Sequence, residues 1–351
     1  MLPIFKGLFH LGTDIVTGID VGAFSTKVVS VRRKNGAKEI LYVKEFPVIP
    51  YEKFDASLER VAEELSLNAA AKNSRLVLSV PLGNYSYFFL NIPKIPDDEL
   101  LSAVEWELKK HLTSPVEEYT FDYVIVREFS DENMRKYEVF TVAAPRSDTL
   151  KLLNIFKSRK LSVSSITVNP LALVGLTDFL PPSEKNETLV IGSIGFLKTE
   201  MVIVINGALR FARVIKLGIS QIVSNLSQNY GIPREKSLIL LKEKGFGAES
   251  GQKEVIISML SEAVGKFALE FQRFIDYFYA QYPNEVCDKM YLVGGGAVMP
   301  GLIEAFQPFF DFKVDVFTPP SAVSIINKNF KEELTTIFST AAGLALSGGQ
   351  D

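Results

Sequence analysis

Cysteine occurs once in the 351 residues, at Cys287, and histidine twice, at His10 and His111. A single cysteine excludes an intramolecular disulfide, and the scarcity of both residue types leaves almost no material for a zinc centre or a Ser/His/Asp triad. No uninterrupted apolar run reaches the ~18 residues that a membrane-crossing helix needs. The opening Met-Leu-Pro-Ile-Phe-Lys-Gly-Leu-Phe-His is too short in its apolar part for a secretory signal and carries no small-residue cleavage site. It reads as an N-terminal arm, with a short interfacial anchor as the alternative. A dominant charge is missing too: 38 basic residues face 41 acidic ones, a net charge of -3, so no global field draws the chain to nucleic acid or to anionic lipid. These absences predict a chain with no nucleic-acid partner, while the single cysteine is neutral as to compartment.

What is present is ordinary globular material. The chain is 47% hydrophobic and 23% charged, well away from disordered composition. At 351 residues it is too long for one core, so at least two domains are expected. Alternation and β-branched enrichment predict strands over 16–21, 27–33 and 39–46, with Asn35-Gly36 as the hairpin turn between the last two. A helix over 57–67 and a buried strand over 76–80 follow. A segment of different character comes next: a strand over 85–92, then Pro96-Asp97-Asp98-Glu99 opening a helix. Leu100, Val104, Leu108 and Leu112 recur there at four-residue spacing, with Trp106 on another face. Pro115 stops that helix. Strands over 119–126 and 137–144, turned at 130–133, lead to a helix over 148–159, a strand over 163–168 and a helix over 169–179.

Residues 181–187 form the clearest linker, and beyond it the pattern restarts. Strands over 188–192, 200–205 and 208–214 repeat the three-strand opening, with Asn206-Gly207 as the turn. A helix over 219–230, a charged Gly-rich stretch over 243–253, a long helix over 258–282, a buried strand over 289–293, a Gly-rich turn, a helix over 301–306, a strand and a final helix over 333–346 complete the chain. Two copies of three strands followed by helices indicate an internal duplication with a cleft between the halves, a usual place for a ligand.

Two motifs carry the chemistry. Ile19-Asp20-Val21-Gly22-Ala23-Phe24-Ser25-Thr26-Lys27 puts an acid at a strand end, then a tight Gly-containing turn that can aim backbone N–H groups at one anion, with a lysine beside it. Asp20 would reach magnesium through water, since that ion keeps much of its hydration. Taken alone, Asp-x-Gly in a hairpin also describes an ordinary turn. Leu292-Val293-Gly294-Gly295-Gly296-Ala297 runs an apolar strand into three glycines, which lets backbone approach a flat ligand. It is neither a Walker A sequence nor a Rossmann fingerprint.

The order strand, Asp-x-Gly, strand, duplicated after a linker and followed by strand and Gly-Gly-Gly, resembles the actin, heat-shock ATPase and sugar kinase superfamily. Within it, Val104-Glu105-Trp106-Glu107, Pro115-Val116-Glu117-Glu118, Phe121-Asp122-Tyr123, Thr141-Val142-Ala143-Ala144, Asn169-Pro170-Leu171-Ala172-Leu173 and Ala341-Ala342-Gly343-Leu344-Ala345-Leu346 resemble the PilM family of type IV pilus assembly proteins, on the branch shared with FtsA. The resemblance covers nearly the whole chain. It implies an α/β fold of duplicated actin-like (ribonuclease H-like) domains, with an inserted α+β subdomain and a nucleotide cleft between the halves. Residues 1–80 and 147–182, with part of 333–346, would form the first core, 81–146 the inserted subdomain, and 183–351 the second core, whose smaller subdomain spans about 220–285. It further implies ATP and Mg2+ as ligands. A first phosphate loop would use Asp20, Gly22, Ala23, Phe24, Ser25 and Lys27, and a second Ser193, Gly195 and Thr199. Glu270, Arg273, Gly294, Gly295 and Gly296 would hold ribose and base. Glu270 and Arg273, three apart on one helix, share a face; a solvated charged stripe is the plainer reading of them. The phenylalanines at 267, 271, 274 and 278 on that helix read as core.

One departure matters. The superfamily's second phosphate loop opens with an acid, and here Ser193 stands in that place. A neutral hydroxyl is a poor substitute for a carboxylate that holds a hydrated metal and orients attacking water, so ATP would be bound and hydrolysed slowly or not at all. The partner implied by the resemblance is the cytoplasmic N-terminal tail of PilN. The expected role is a cytoplasmic scaffold, peripheral at the inner membrane through its partners, linking them to pilus motor or inner-membrane platform proteins. Self-association is left open. The groove would lie between the first domain's core and the inserted subdomain, with Phe88, Phe89 and Leu90 as candidate exposed apolar groups and a core strand as their other reading. A small-molecule kinase or active ATPase of the same superfamily is the alternative function. An FtsA-like membrane-anchored protein is disfavoured, because residues 347–351 follow the last predicted helix without an amphipathic anchor.

Overall fold

The computed structural model describes residues 14–34, 37–48, 54–80, 85–245, 254–319, 324–325 and 336–347. The N-terminal arm, the Asn35-Gly36 turn, most of the Gly-rich stretch over 243–253 and the last residues lie outside them. Two compact units divide the chain, Met1–Ala172 with Leu344–Asp351, and Leu173–Gly343.

The first unit opens with β1 (Ile15–Val21), β2 (Ser25–Lys34) and β3 (Ala37–Pro47). Helix α1 (Phe54–Leu67) buries Leu58, Val61, Ala62 and Leu65, the 3–4 spacing of one helical face. The short α2 (Ala69–Lys72) is capped by the Asn68 side chain, which accepts from Ala70 N and Ala71 N, before β4 (Arg75–Ser79). Strand β1 lies between antiparallel β2 and parallel β4. Buried on both faces, it reads as a nearly continuous apolar run. Its one central hydroxyl, Thr17, lies 2.7 Å from Ser30 Oγ and 2.6 Å from Ser74 Oγ, so the polar atoms there are paired.

Strand β5 (Ser86–Pro93), α3 (Asp97–Leu108), β6 (Tyr119–Asp131) and β7 (Met134–Pro145) build the inserted segment, a sheet of order β5-β7-β6. Leu100, Val104 and Leu108 of α3 pack with Leu90, Ile92 and Val139 of the sheet, as the spacing predicts. Trp106 is 68% exposed on another face. Glu132 and Asn133 both take left-handed backbone angles (φ 47° and 65°). The β6–β7 turn is therefore tighter, and both strands longer, than the sequence reading. Phe88, Phe89 and Leu90 are packed rather than exposed: Phe88 sits on the α3 cluster with its ring 5.1 Å from His111, Phe89 lies 5.2 Å from Phe140, and Leu90 is buried. Helix α4 (Arg146–Ser158), β8 (Val163–Thr167) and α5 (Asn169–Gly175) follow. Within this unit the main sheet runs β3-β2-β1-β4-β8.

The second unit contains β9 (Thr188–Ile194), β10 (Thr199–Ile205), β11 (Ala208–Ile215), α6 (Ile219–Tyr230), α7 (Arg234–Glu243), α8 (Glu254–Gln281), β12 (Lys289–Val293), α9 (Leu302–Phe306) and β13 (Lys313–Val316). Its sheet order is β11-β10-β9-β12-β13. Phe267, Phe271, Phe274 and Phe278 of α8 are all core, packed over this sheet. Gly192 lets α8 come down: a Cβ there would lie 2.4 Å from the Phe271 ring. Helix α10 (Ser339–Ser347) closes the described chain. Chain passes between the units inside α5 and α10, and these helices meet at Gly175 and Gly343, where a Cβ on Gly175 would lie 2.5 Å from the Gly343 carbonyl oxygen.

Candidate functional site

In the first unit, Asp20 is the sixth of the seven residues of β1 and sits opposite Lys27 of β2; such cross-strand neighbours share a face. Val21 N donates to Ser79 Oγ at 2.9 Å, fixing the end of β1 to the end of β4. Gly22 N donates to the Asp20 carbonyl at 3.2 Å. A Cβ on Gly22 would lie 2.6 Å from the Ser25 carbonyl oxygen and 3.8 Å from Lys27 Nζ, so the turn admits only glycine. Ala23 is half-buried, and Phe24 is 38% exposed with its carbonyl accepting from Val48 N at 3.0 Å. The buried Ser25 hydroxyl donates to Glu45 Oε1 at 2.6 Å. That bond ties β2 to β3. What the turn offers an anion is therefore its backbone and the Lys27 ammonium.

In the second unit the same hairpin recurs with different side chains. Ser193 is the sixth of seven residues of β9 and sits opposite Glu200 of β10, where the first hairpin pairs Asp20 with Lys27. Gly195 N donates to the Lys198 carbonyl at 2.9 Å, and a Cβ on Gly195 would lie 2.8 Å from that oxygen. The loop is seated on the start of α6: Gly195 O accepts from Ile219 N at 3.1 Å and Phe196 O from Ser220 N at 2.8 Å. The buried Thr199 hydroxyl donates to the Leu217 carbonyl at 2.8 Å, which braces the same junction. Lys198 Nζ lies 2.6 Å from Glu200 Oε1, with the two side chains 13% and 4% exposed. Residue-by-residue reading of the sequence passed over Lys198 and Glu200. The available signal was an acid set into an otherwise apolar strand, Thr-Glu-Met-Val-Ile-Val-Ile.

The glycine loop after β12 rests on the end of β9. Gly294 has a left-handed φ of 88°, and a Cβ there would lie 2.8 Å from Ile194 O and 3.2 Å from Ser193 Oγ. Its N–H donates to Thr336 O at 3.1 Å, while Gly296 N donates to Ile194 O at 2.9 Å. A Cβ on Gly296 would lie 2.3 Å from Ile194 Cγ2. Gly295 between them is exposed, with nothing within 4 Å of where its Cβ would be. Two glycines thus dock the loop and the third presents bare backbone, the arrangement that a flat ring can approach. Ser193 and the glycine loop come together. Glu270 and Arg273 pair with each other on α8: Arg273 Nη1 lies 2.6 Å from Glu270 Oε1, and Arg213 Nη2 of β11 lies 3.7 Å from Glu270 Oε2.

Among the described residues no three His, Cys, Asp or Glu side chains gather as a metal cluster. At the first loop Asp20 supplies one carboxylate, which suits a hydrated magnesium ion bound mainly by water and phosphate. At the second loop the donor set does not fit a metal ion. Ser193 is neutral and the Glu200 carboxylate is bridged by an ammonium.

Residues 18–348 match the sequence profile of a family described as type IV pilus assembly protein PilM. Among solved structures, the chain is similar to a chain of the PilM-PilN type IV pilus biogenesis complex, with 21% identity, 96% of this chain and 99% of the other covered, and a TM-score of 0.79. It is also similar to the ethanolamine utilization protein EutJ from Carboxydothermus hydrogenoformans, at 14% identity over 98% of this chain and 92% of the other, TM-score 0.54. MreB5 of Spiroplasma citri bound to AMPPNP is 10% identical over 95% of both chains, TM-score 0.52. No curated protein matches the chain by sequence. At these identities the likeness establishes the fold, a duplicated actin-like α/β fold.

Proposed function

The chain belongs to the PilM family of type IV pilus assembly proteins, and from that premise we propose that it is an ATP-binding adaptor that holds the cytoplasmic N-terminal tail of a PilN-type membrane protein. Family membership carries the partner, and a PilM–PilN pairing is the content of the similar complex. The glycine loop carries the nucleotide: Gly294 and Gly296 are locked onto Ile194 and leave Gly295 bare, as an adenine-facing backbone requires. Backbone donors of the Gly22 turn and the Lys27 ammonium are assigned to phosphate, and Asp20 to a magnesium ion held through water. The ion, when bound, would neutralise phosphate charge. Glu270 and Arg273 are assigned to the ribose side of the nucleotide by resemblance alone.

Turnover is the part that Ser193 weakens in this reading. Ser193 offers no charge with which to anchor a hydrated metal or orient water, so the nucleotide is retained and hydrolysis is slow or absent. The protein's work is then to present a surface to the PilN tail and, through it, to join the inner-membrane complex to motor or platform proteins; self-association is a further part of the proposal. No described helix is long and apolar enough to cross a membrane, so membrane association is assigned to the partner.

Calorimetric titration of the full chain tests both halves of this reading. ATP with magnesium is expected to bind, and Asp20→Ala to weaken it at least about tenfold, the scale of one lost charge-assisted contact. A synthetic PilN tail peptide is expected to bind one per chain. Phosphate release near an ordinary enzymatic rate of about 10 per second, abolished by Asp20→Ala, would overturn the adaptor reading in favour of an ATPase.

A further inference from the structure

We infer that Lys198, held by Glu200, is the phosphate-binding cation of the second loop and takes over the charge that a metal-anchoring acid would otherwise organise there. The inference rests on the nucleotide-binding reading above and names the side chain that reading lacks in the second unit.

Register carries the first step. The two hairpins are equivalent residue for residue, Asp20 opposite Lys27 and Ser193 opposite Glu200. Each has one acid and one lysine near its mouth, but only the first sets them on opposite strands. In the first hairpin the acid lies on the leading strand and the lysine on the return strand. In the second the acid is on the return strand, and the lysine closes the turn through its own carbonyl, which accepts from Gly195 N.

Burial carries the second step. A lysine and a glutamate with side chains only 13% and 4% exposed are a poor choice for stability, because an apolar pair of similar volume does as well or better. Glu200 is the more deeply buried of the two, and its carboxylate fixes the ammonium in place. A lysine so placed is a fixed point charge of the kind that binds phosphate. The same pair removes the alternative of a metal: the Glu200 carboxylate is occupied by an ammonium, and Ser193 adds no charge.

Location carries the third. Ser193 faces Glu200 across the hairpin and lies against Gly294, where a Cβ would sit 3.2 Å from its hydroxyl. The hydroxyl, the ion pair and the glycine loop thus occupy one end of the second unit's sheet. A ligand whose ring lies on Gly295 would extend its anionic part past Ser193 toward Lys198.

The test is calorimetric titration of the full chain with ATP, with ADP and with adenosine, each in excess magnesium and in EDTA. Lys198→Gln is expected to weaken ATP about tenfold in both buffers and to leave adenosine unchanged, a split that a merely structural lysine does not give. Ser193→Asp is expected to make ATP affinity more than about tenfold dependent on magnesium. Should Lys198→Gln unfold because it strands the Glu200 carboxylate, the Lys198→Gln, Glu200→Gln double variant takes its place. Wild-type affinity for ATP in the folded variant, or parallel loss of ATP and adenosine, overturns the assignment of Lys198 alone. Absence of ATP and adenosine binding in the wild-type chain overturns the nucleotide reading, and this inference with it.

Discussion

Cys287 sits in a closed apolar setting, its N–H donating to the Tyr279 hydroxyl oxygen at 3.1 Å, and burial pushes its thiol from 9.0 up to about 11. A group that holds its proton more tightly in the folded state adds stability that is fully present below pH 9 and is lost as the pH rises toward 11. Burial pushes Tyr279 from 10.0 to about 12, with the same sign in a slightly higher window. Denaturant midpoints measured from pH 8 to pH 11 are expected to fall steadily above pH 9, and Cys287→Ala to flatten the early part of that fall. The native thiol is expected to resist iodoacetamide at pH 8 and to react once unfolded, as mass spectrometry can follow. At this scale the sequence was legible wherever backbone geometry names the residue: Gly22, Gly195 and Gly294 sit where a side chain has no room. It was not legible for hydroxyls. Ser25 and Thr199 have the right chemistry for phosphate, yet their protons go to Glu45 and to Leu217 O, partners that only the folded chain brings near.

Among the elements, the Asn206-Gly207 hairpin has φ of 53° and 73°, the mirror-image turn that Asn-Gly specifies. Helix α8 has the phenylalanine row that its spacing announced. Phe271 is wholly buried and fills the space above Gly192, so Phe271→Ala is expected to cost about 3–5 kcal/mol, read from urea unfolding. The crossing of α5 and α10 leaves no room for a methyl group at Gly175; Gly175→Ala is expected to destabilise by about 1–3 kcal/mol through overpacking, checked the same way. Helix α7 went unread because its apolar residues, Leu238, Ile239, Leu240 and Leu241, run consecutively instead of recurring on one face. Only Ser237 and Leu241 are buried in it, so packing by neighbouring segments, and not amphipathic period, decides that it is helical.

For the molecule as a whole, the adaptor reading makes coupling the quantity to measure. If nucleotide and the PilN tail act on one equilibrium, each must change the other's affinity by the same factor. Titrating the peptide with and without ATP, and ATP with and without peptide, is expected to return equal factors of about fivefold or more; a factor of one would leave the nucleotide a purely structural component. The sequence by itself determined the duplicated strand pattern, the two Gly-containing turns, the glycine loop and the serine in the acid's place. These follow from local rules: period, turn geometry and the identity of single residues. Tertiary structure alone decided which polar side chains are committed and which charges meet. Glu270 is drawn to Arg213 over β11. How deeply the Lys198–Glu200 pair is covered, 13% and 4% exposed, is likewise set by packing. Contacts of that kind depend on how strands pair and how deeply they are covered, and neither quantity is written in any short stretch of the chain.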